Sequence, residues 1–454
     1  MDLPNEGGSA FRPSVKGRLL IRRRHVIFVS AHDPQGTEGY YGLFQAGCRR
    51  FRTIWRIEAQ IGPLIIESED LAHWDLELMG PNWRVSTRYD FLRQDSVIRA
   101  IMAQPLWRLI PRALLWTIDE LVSGTLFRIF RASVRFGLVT VYFQFWILAW
   151  IGVAIAAGAV AALAIIEVLG WDAIIGVLVG VVNGVAVLSG LRPLARRAFA
   201  VLVAGHWPYT RELVAGEKSP FDRPIEAGAR HLVDVARAGE ADEIVVVGHS
   251  AGGMTASLMV ARALELDADL GCHGPHVVLL TLGAITPAAA LHPTAKKLRH
   301  AINRLAVDPY VTWVDCQSRR DILNFWDLDP VEDIGVRVGG RRRNPVIWQV
   351  RFRGMVSPQF YRRLRWRFFR LHFHFIMAGD LRAPYDYVML IGSPVPIEEW
   401  GERSSEVFAS FAPDGTYQVV ANQDLVALRP NAKDSEITND LPPKIPKRKR
   451  RRWW

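Results

Sequence analysis

The sequence predicts an α/β protein, a mostly parallel sheet with helices on both faces, interrupted by an inserted transmembrane helical hairpin. Three observations carry this reading. Short apolar runs of strand length alternate with longer helical patterns on both sides of the chain's middle. Two uncharged stretches, 136–166 and 173–191, stand back to back. Each is close to or longer than the roughly twenty residues that cross a bilayer. Finally, the run EIVVV at 243–247 enters a glycine-rich turn and then a long apolar run, a strand–turn–helix pattern.

Taken in order, residues 1–24 form a basic N-terminal segment with no apolar h-region, so they do not read as a secretory signal peptide. Residues 25–104 supply the first part of the sheet domain: a strand at 25–30, a loop at 31–36, a helix at 40–55, and strands at 63–66 and 83–87. Residues 105–136 mix Leu, Ile, Trp and Phe with Arg at helical spacing. They predict one or two amphipathic interfacial helices, against the alternative of a core helix with a solvated face. The hairpin itself covers 137–191, and its small residues, as in IGVAIAAGAVAALA and GVLVGVVNGVAV, suit two helices in close contact. A hairpin buried in a soluble core is the competing reading. Arg128, Arg131 and Arg135 precede it, and Arg192, Arg196 and Arg197 follow, while its loop holds only Glu167 and Asp172. The positive-inside rule therefore puts both outer ends in the cytoplasm.

The second part of the sheet domain is expected over 192–425. Helical stretches reach about residue 212 and cover 224–238 and 251–264, and strands lie at 243–247, 276–282 and 311–315. A disordered polybasic tail, 426–454, closes the chain, and no repeat of fixed period is visible.

The chain has 454 residues, 50% of them hydrophobic and 22% charged, which excludes a disordered protein. Mean hydropathy is +0.09, and the apolar excess sits in the hairpin. Net charge is +11. Seven of those charges, Lys444, Lys447, Arg448, Lys449, Arg450, Arg451 and Arg452, lie just before Trp453 and Trp454. On a protein in a bilayer this tail predicts contact with anionic lipid, worth about 1 kcal/mol per basic residue. No nucleic-acid-binding fold accompanies it, so no specific nucleic acid is expected. Cys48, Cys272 and Cys316 form no CxxC pair, which argues against a disulfide framework or structural zinc.

The strongest chemical signal is GHSAGG, residues 248–253. Gly248, Ser250 and Gly252 satisfy G-x-S-x-G, in the strand–turn–helix setting that lifts a serine hydroxyl clear of a sheet. The bland reading is a glycine-rich turn with a capping serine; phosphate-binding GxGxxG and GxxxxGK[ST] patterns are absent here. With the strand end LLTLG at 279–283, the elbow resembles the lipase and esterase branch of the α/β-hydrolase superfamily. More closely, the chain resembles uncharacterised bacterial membrane-associated hydrolase-like proteins, which pair an early strand and D-P loop with a late HF-x-aromatic segment. The resemblance covers the second half well and the first strand less, and does not reach the hairpin.

That resemblance implies a triad in the chain order nucleophile, acid, histidine. Ser250 is the nucleophile. Asp321 is the expected acid, in the loop after the 311–315 strand, with Asp315 as the alternative; Asp327 and Asp329 read as turn residues. His372 is the expected base, with His374 as the alternative. The oxyanion donors are expected to be the Ala251 N–H and a donor from the loop at Ala31 and His32, where Ala31 stands in place of the glycine many hydrolases carry. His206 and His249 read as structural. His372 and His374 form an H-x-H pair with no third ligand at suitable spacing, and Cys272-His273-Gly-Pro-His276 reads as a polar loop ahead of a strand, so neither metal nor cofactor is expected. The function implied is a membrane-anchored serine hydrolase cleaving a carboxylic ester of a lipid or amphiphilic acyl substrate through an acyl-enzyme. It would be integral to a bacterial inner membrane with its hydrolase domain and termini cytoplasmic. A catalytically inactive hydrolase-fold scaffold is the alternative.

Overall fold

The computed structural model describes residues 20–32, 35–197 and 200–418. The polybasic tail and Asp33-Pro34 lie outside the described residues.

A central strand, β1 (Arg23–Val29), is built from β-branched and aromatic residues buried on both faces. Helix Gly36–Trp55 follows and buries Tyr40, Phe44, Phe51 and Trp55 from one stripe. Next come β2 (Glu58–Ile61), β3 (Ile65–Ile66), β4 (Leu71–Gly80) and β5 (Trp83–Leu92). β4 runs antiparallel to β2, β3 and β5, and β5 lies parallel to β1. β6 (Glu243–His249), β7 (His276–Leu282), β8 (Val311–Gln317) and β9 (Val346–Gln349) continue the sheet in parallel from the other edge of β1. The order is β2-β4-β5-β1-β6-β7-β8-β9, with β3 attached to β4. One mixed, mostly parallel sheet is thus assembled from both sides of the hairpin.

The sheet separates two cores. Val26, Phe28, Val245, Val247 and Leu280 face one, and Ile27, Val29, Ile244, Val246 and Leu279 face the other, as period-two side chains must. The predicted strands at 25–30, 243–247, 276–282 and 311–315 all lie in this sheet. β2 and β4 were not expected, the 63–66 strand shrinks to the two residues of β3, and β5 runs further than the 83–87 strand. Asp75 and Glu77 interrupt the apolar run of β4 because that strand alternates between faces. Arg24, assigned from sequence to the basic segment, is instead a buried member of β1. Its guanidinium donates to Glu243 Oε2 at 2.7 Å and to the carbonyls of Ser393 and Val395, both at 2.9 Å. Glu243 in turn accepts from the Ile397 N–H at 2.9 Å. The pair bridges β1 and β6, the two strands on which the candidate site stands.

Two helices are long and apolar enough to cross a membrane. Val134–Val168 includes a terminal π turn and has mean hydropathy 2.4, and Ala173–Arg197 has 2.3. Only 17% and 11% of their most apolar windows are buried, unlike the core helices of a soluble protein. They cross at glycines. A Cβ on Gly158 would stand 2.8 Å from the Gly180 carbonyl oxygen, and one on Gly180 would stand 2.6 Å from that of Gly158. The 105–136 segment forms helices Leu106–Val122 and Thr125–Ala132. Leu109, Ala113 and Trp116 pack with Ile147, Trp150 and Ala204, while Trp107, Leu115, Ile118, Val122 and Phe127 are exposed. The free face of these helices is therefore apolar, which a core helix with a solvated face would not present.

Removing one member of a buried ion pair strands the other charge. Arg24→Leu should cost about 3–5 kcal/mol of unfolding free energy, and Arg24→Leu/Glu243→Leu should recover part of that loss. Thermal melts of the two proteins in detergent check this; equal melting temperatures for wild type and Arg24→Leu would remove the pair from the account.

Candidate active site

The elbow is fixed by backbone crowding. β6 ends at His249, and helix Ala251–Leu266 starts two residues later. Between them Ser250 has φ 58° and ψ −122°, a conformation L-residues rarely adopt. Such strain costs on the order of 1–3 kcal/mol and persists only where the surroundings enforce it. Here the enforcement can be named. A Cβ on Gly252 would lie 2.2 Å from the Val29 carbonyl oxygen and 2.4 Å from that of Ser30, at the end of β1. A Cβ on Gly248 would lie 2.6 Å from Gly253 Cα, and one on Gly253 would lie 2.6 Å from Ala284 Cβ. The Ser250 N–H donates to the Leu282 carbonyl at 3.0 Å, tying the turn to β7.

The acid and the histidine meet across the sheet's end. His372 Nδ1 and Asp321 Oδ2 are 2.6 Å apart, and both side chains are buried. A carboxylate only accepts, so Nδ1 carries the donated hydrogen and the lone pair of a neutral ring resides on Nε2. Nε2 is buried and has no hydrogen-bond partner. Asp321 is held in place by a tight turn: its Oδ1 accepts from the Leu323 N–H at 2.9 Å, and Asn324 donates to the Ser318 and Asp321 carbonyls. Gly283 leaves room for the histidine, since a Cβ there would sit 3.1 Å from His372 Cε1 and 2.5 Å from the Phe375 ring.

The alternatives go elsewhere. Asp315 is engaged inside the sheet by Thr281 and by Gln317 at 2.9 Å, and burial raises its carboxyl above the ordinary range. His374 Nδ1 faces the Arg370 carbonyl at 3.1 Å, and its ring lies against Phe360 and Phe352. His249 lies under the loop, its ring centroid 4.8 Å from that of His372 and its Nε2 3.4 Å from the His372 carbonyl. The Cys272–His276 loop gathers no ligand set: His273 pairs with Asp267 and His276 with Thr312. Elsewhere, His25 and His231 contact one Asp90 oxygen at 2.7 and 2.6 Å, while the Arg88 guanidinium takes the other at 2.8 Å. That guanidinium already neutralises the carboxylate a cation would need.

Ser250, Ala251, His372, Ala31 and His32 line one cavity of about 140 Å³. The Ala251 N–H opens a helix, where no intrahelical acceptor exists for it. The side chain of His32 is already engaged. It contacts His206, stacks on Phe221 with centroids 4.5 Å apart, and reaches Thr255 Oγ1 at 3.3 Å. Any donation from this loop to the cavity therefore falls to backbone N–H groups. Burial lowers the pKa of both His32 and His206, which keeps the pair neutral.

Sequence reasoning missed the rest of the wall. Phe136, Val139, Thr140 and Phe143 come from the base of the first hairpin helix, and Leu202, Val203, His206 and Trp207 from the helix after the hairpin. His206, read from sequence as merely structural, lies on this wall. No local pattern marks these positions, because they reach the cavity only when the hairpin folds back onto the sheet. Compared with known proteins, the chain matches no family model, no curated protein and no solved structure.

Two stability consequences follow from this packing. Gly252→Ala forces its methyl into the end of β1 and should destabilise the fold by about 1–3 kcal/mol or more, read as a lowered melting temperature. Burial also holds His374 down to about 4 and His206 to about 3. The unfolded chain takes up these protons below about pH 6.5, whereas the folded one does not until pH 3–4. Stability should therefore fall as pH drops from 6.5 to 4, by on the order of 1 kcal/mol per pH unit for each histidine. His374→Phe should flatten that dependence, and an unchanged pH profile of the melting temperature would contradict it.

Proposed function

We propose that this chain is a membrane-anchored serine hydrolase that cleaves a carboxylic ester, with a lipid or amphiphilic acyl substrate. The observation that carries the reading is the buried His372–Asp321 contact, which leaves Nε2 unpartnered on a histidine lining the same cavity as Ser250 in its strained elbow. The sheet agrees with an α/β-hydrolase arrangement: parallel strands carry, in order, the oxyanion loop after β1, the nucleophile after β6, the acid after β8 and the histidine after β9.

The chemistry follows from these positions. Nε2 of His372 takes the hydroxyl proton as Ser250 Oγ attacks the acyl carbonyl carbon. The developing oxyanion meets the Ala251 N–H at the helix N-terminus, where donor and dipole both favour negative charge. Asp321 fixes the tautomer and stabilises the imidazolium. The protonated ring then delivers its proton to the leaving alcohol, and water repeats the sequence on the acyl-enzyme. The membrane half of the reading rests on the two apolar helices, whose exposed faces are costly in water. Because the first of them also walls the cavity, a hairpin in the bilayer sets the site at headgroup depth. The flanking arginines favour a cytoplasmic side for that site.

One observation favours a second reading, an inactive scaffold: the Ser250 hydroxyl and Nε2 make no hydrogen bond. Such bonds are often long in unliganded sites and tighten on substrate. A fluorophosphonate probe decides between the two. The detergent-extracted protein should be labelled at Ser250, and Ser250→Ala should abolish labelling. His372→Ala and Asp321→Asn should each lower hydrolysis of a short acyl ester by on the order of 10⁴-fold, with far smaller losses for Asp315→Asn and His374→Asn. A folded wild-type protein that resists the probe would establish the scaffold.

A further inference from the structure

Beside the catalytic cavity lies a larger groove, of about 920 Å³. Its lining includes six arginines, Arg135, Arg319, Arg320, Arg351, Arg353 and Arg365, and no carboxylate. Among the described residues none of the six has an ion-pair partner, although many other arginines of this protein do. Ordinary surfaces intersperse both signs of charge. A one-sign groove instead concentrates positive potential and draws in anions. The planar guanidinium fork matches a phosphate through paired hydrogen bonds, which makes arginine the favoured residue for that group.

The rest of the lining is aromatic and partly bare. Trp366 is 72% exposed and Phe368 is 40% exposed. The Arg365 guanidinium sits 5.4 Å from the Trp366 ring centroid and that of Arg353 sits 5.2 Å from Tyr361. Exposed tryptophan next to arginine suits the headgroup layer of a bilayer. A site for a small soluble anion has no need of this apolar rim.

Position ties the groove to the chemistry. Four pairs of consecutive residues divide between the two spaces, the first of each pair lining the groove and the second the cavity: Arg135 and Phe136, Ile322 and Leu323, Phe368 and Phe369, Leu371 and His372. The last two pairs belong to one short helix, Phe368–His372, so three backbone segments form the partition between the two spaces. Two of these segments hold the acid loop and the histidine. A third is the first turn of the hairpin helix, which begins at Val134. The groove thus lies at the foot of the hairpin, against the wall of the site.

We propose that this groove binds the phosphate of an anionic lipid, and that the acyl ester presented to Ser250 belongs to a phosphate-bearing lipid. The second half rests on the hydrolase reading above; the first half does not, because binding needs no turnover.

The test uses the full-length Ser250→Ala protein in nonionic detergent, titrated calorimetrically with dihexanoyl phosphatidic acid, dihexanoyl phosphatidylcholine and glycerol 3-phosphate. Phosphatidic acid should bind about tenfold or more tightly than either of the others. Arg320→Gln/Arg351→Gln/Arg365→Gln should bring its affinity down to that of phosphatidylcholine, while the matching lysine triple, which keeps the charge, should retain an intermediate affinity. Equal affinity for the two lipids overturns the proposal. So does undiminished affinity in a glutamine triple that melts normally, which would assign the binding to basic residues outside the groove. Glycerol 3-phosphate binding as tightly as phosphatidic acid overturns the lipid assignment. If the glutamine triple does not fold, the lipid comparison on the intact groove and the lysine triple decide. Probe labelling of the Ser250 protein is a separate readout, so failure here and failure of the hydrolase reading are distinguishable.

Discussion

The close approach of three backbones at Gly248, Gly252 and Gly253 is the constraint on which the rest of this structure depends. With side chains at those positions, the helix after β6 would collide with the end of β1, with its own turn and with Ala284 beyond β7. Without them, the helix N-terminus is driven against the sheet and Ser250 is left in a conformation few residues adopt. The turn holds there because the central strands beneath it are fully buried and mutually paired. The local strain is of order 1–3 kcal/mol, small against what a single well-packed apolar side chain in such a core contributes.

The sheet also explains how an apolar hairpin and a polar site share one protein. β1 and β6 are neighbours in register although residues 24 and 243 are 219 positions apart in sequence. The Arg24–Glu243 pair and its carbonyl partners hold the same junction from the opposite end of the strands. The chain leaves the sheet after β5 and returns at β6, on either side of β1, and the base of the hairpin packs at the edge of the cavity. The cavity wall is built from parts remote in sequence: the loop after β1, the elbow, the segments holding Leu323 and His372, the helix after the hairpin, and the first turns of a helix whose remaining length exposes apolar side chains. Substrate access and membrane contact, on the function proposed, become properties of one surface.

Much of this was legible in the sequence because it is written locally. Strands β1, β6 and β7 centre on short runs of Val, Ile, Leu and Phe, β8 on Val and Trp, the elbow glycines fall within six residues, and the hairpin is a matter of counting uncharged residues. Chain order left Asp321 or Asp315 for the acid and His372 or His374 for the base, with Asp321 and His372 expected, and those two side chains are in contact. β4 escaped because its outward residues are charged. The His32–His206 contact escaped because its partners are 174 positions apart. The arginine groove escaped because its members come from three segments, each an unremarkable cluster of basic residues alone.

By itself the sequence determined the α/β class, the glycine-rich strand–turn–helix at residues 248–253, and two helices apolar enough to span a membrane. These depend on periodicity, local sterics and hydropathy, which act over a few residues to a few tens. Only the tertiary structure decided that Asp321 rather than Asp315 faces the histidine, that His372 rather than His374 turns to the cavity, and that the hairpin's base closes it. Adjacent residues in one loop carry the same local signal. Which of them reaches a distant partner is set by how the packed strands and helices aim each backbone segment, and that is a property of the whole fold.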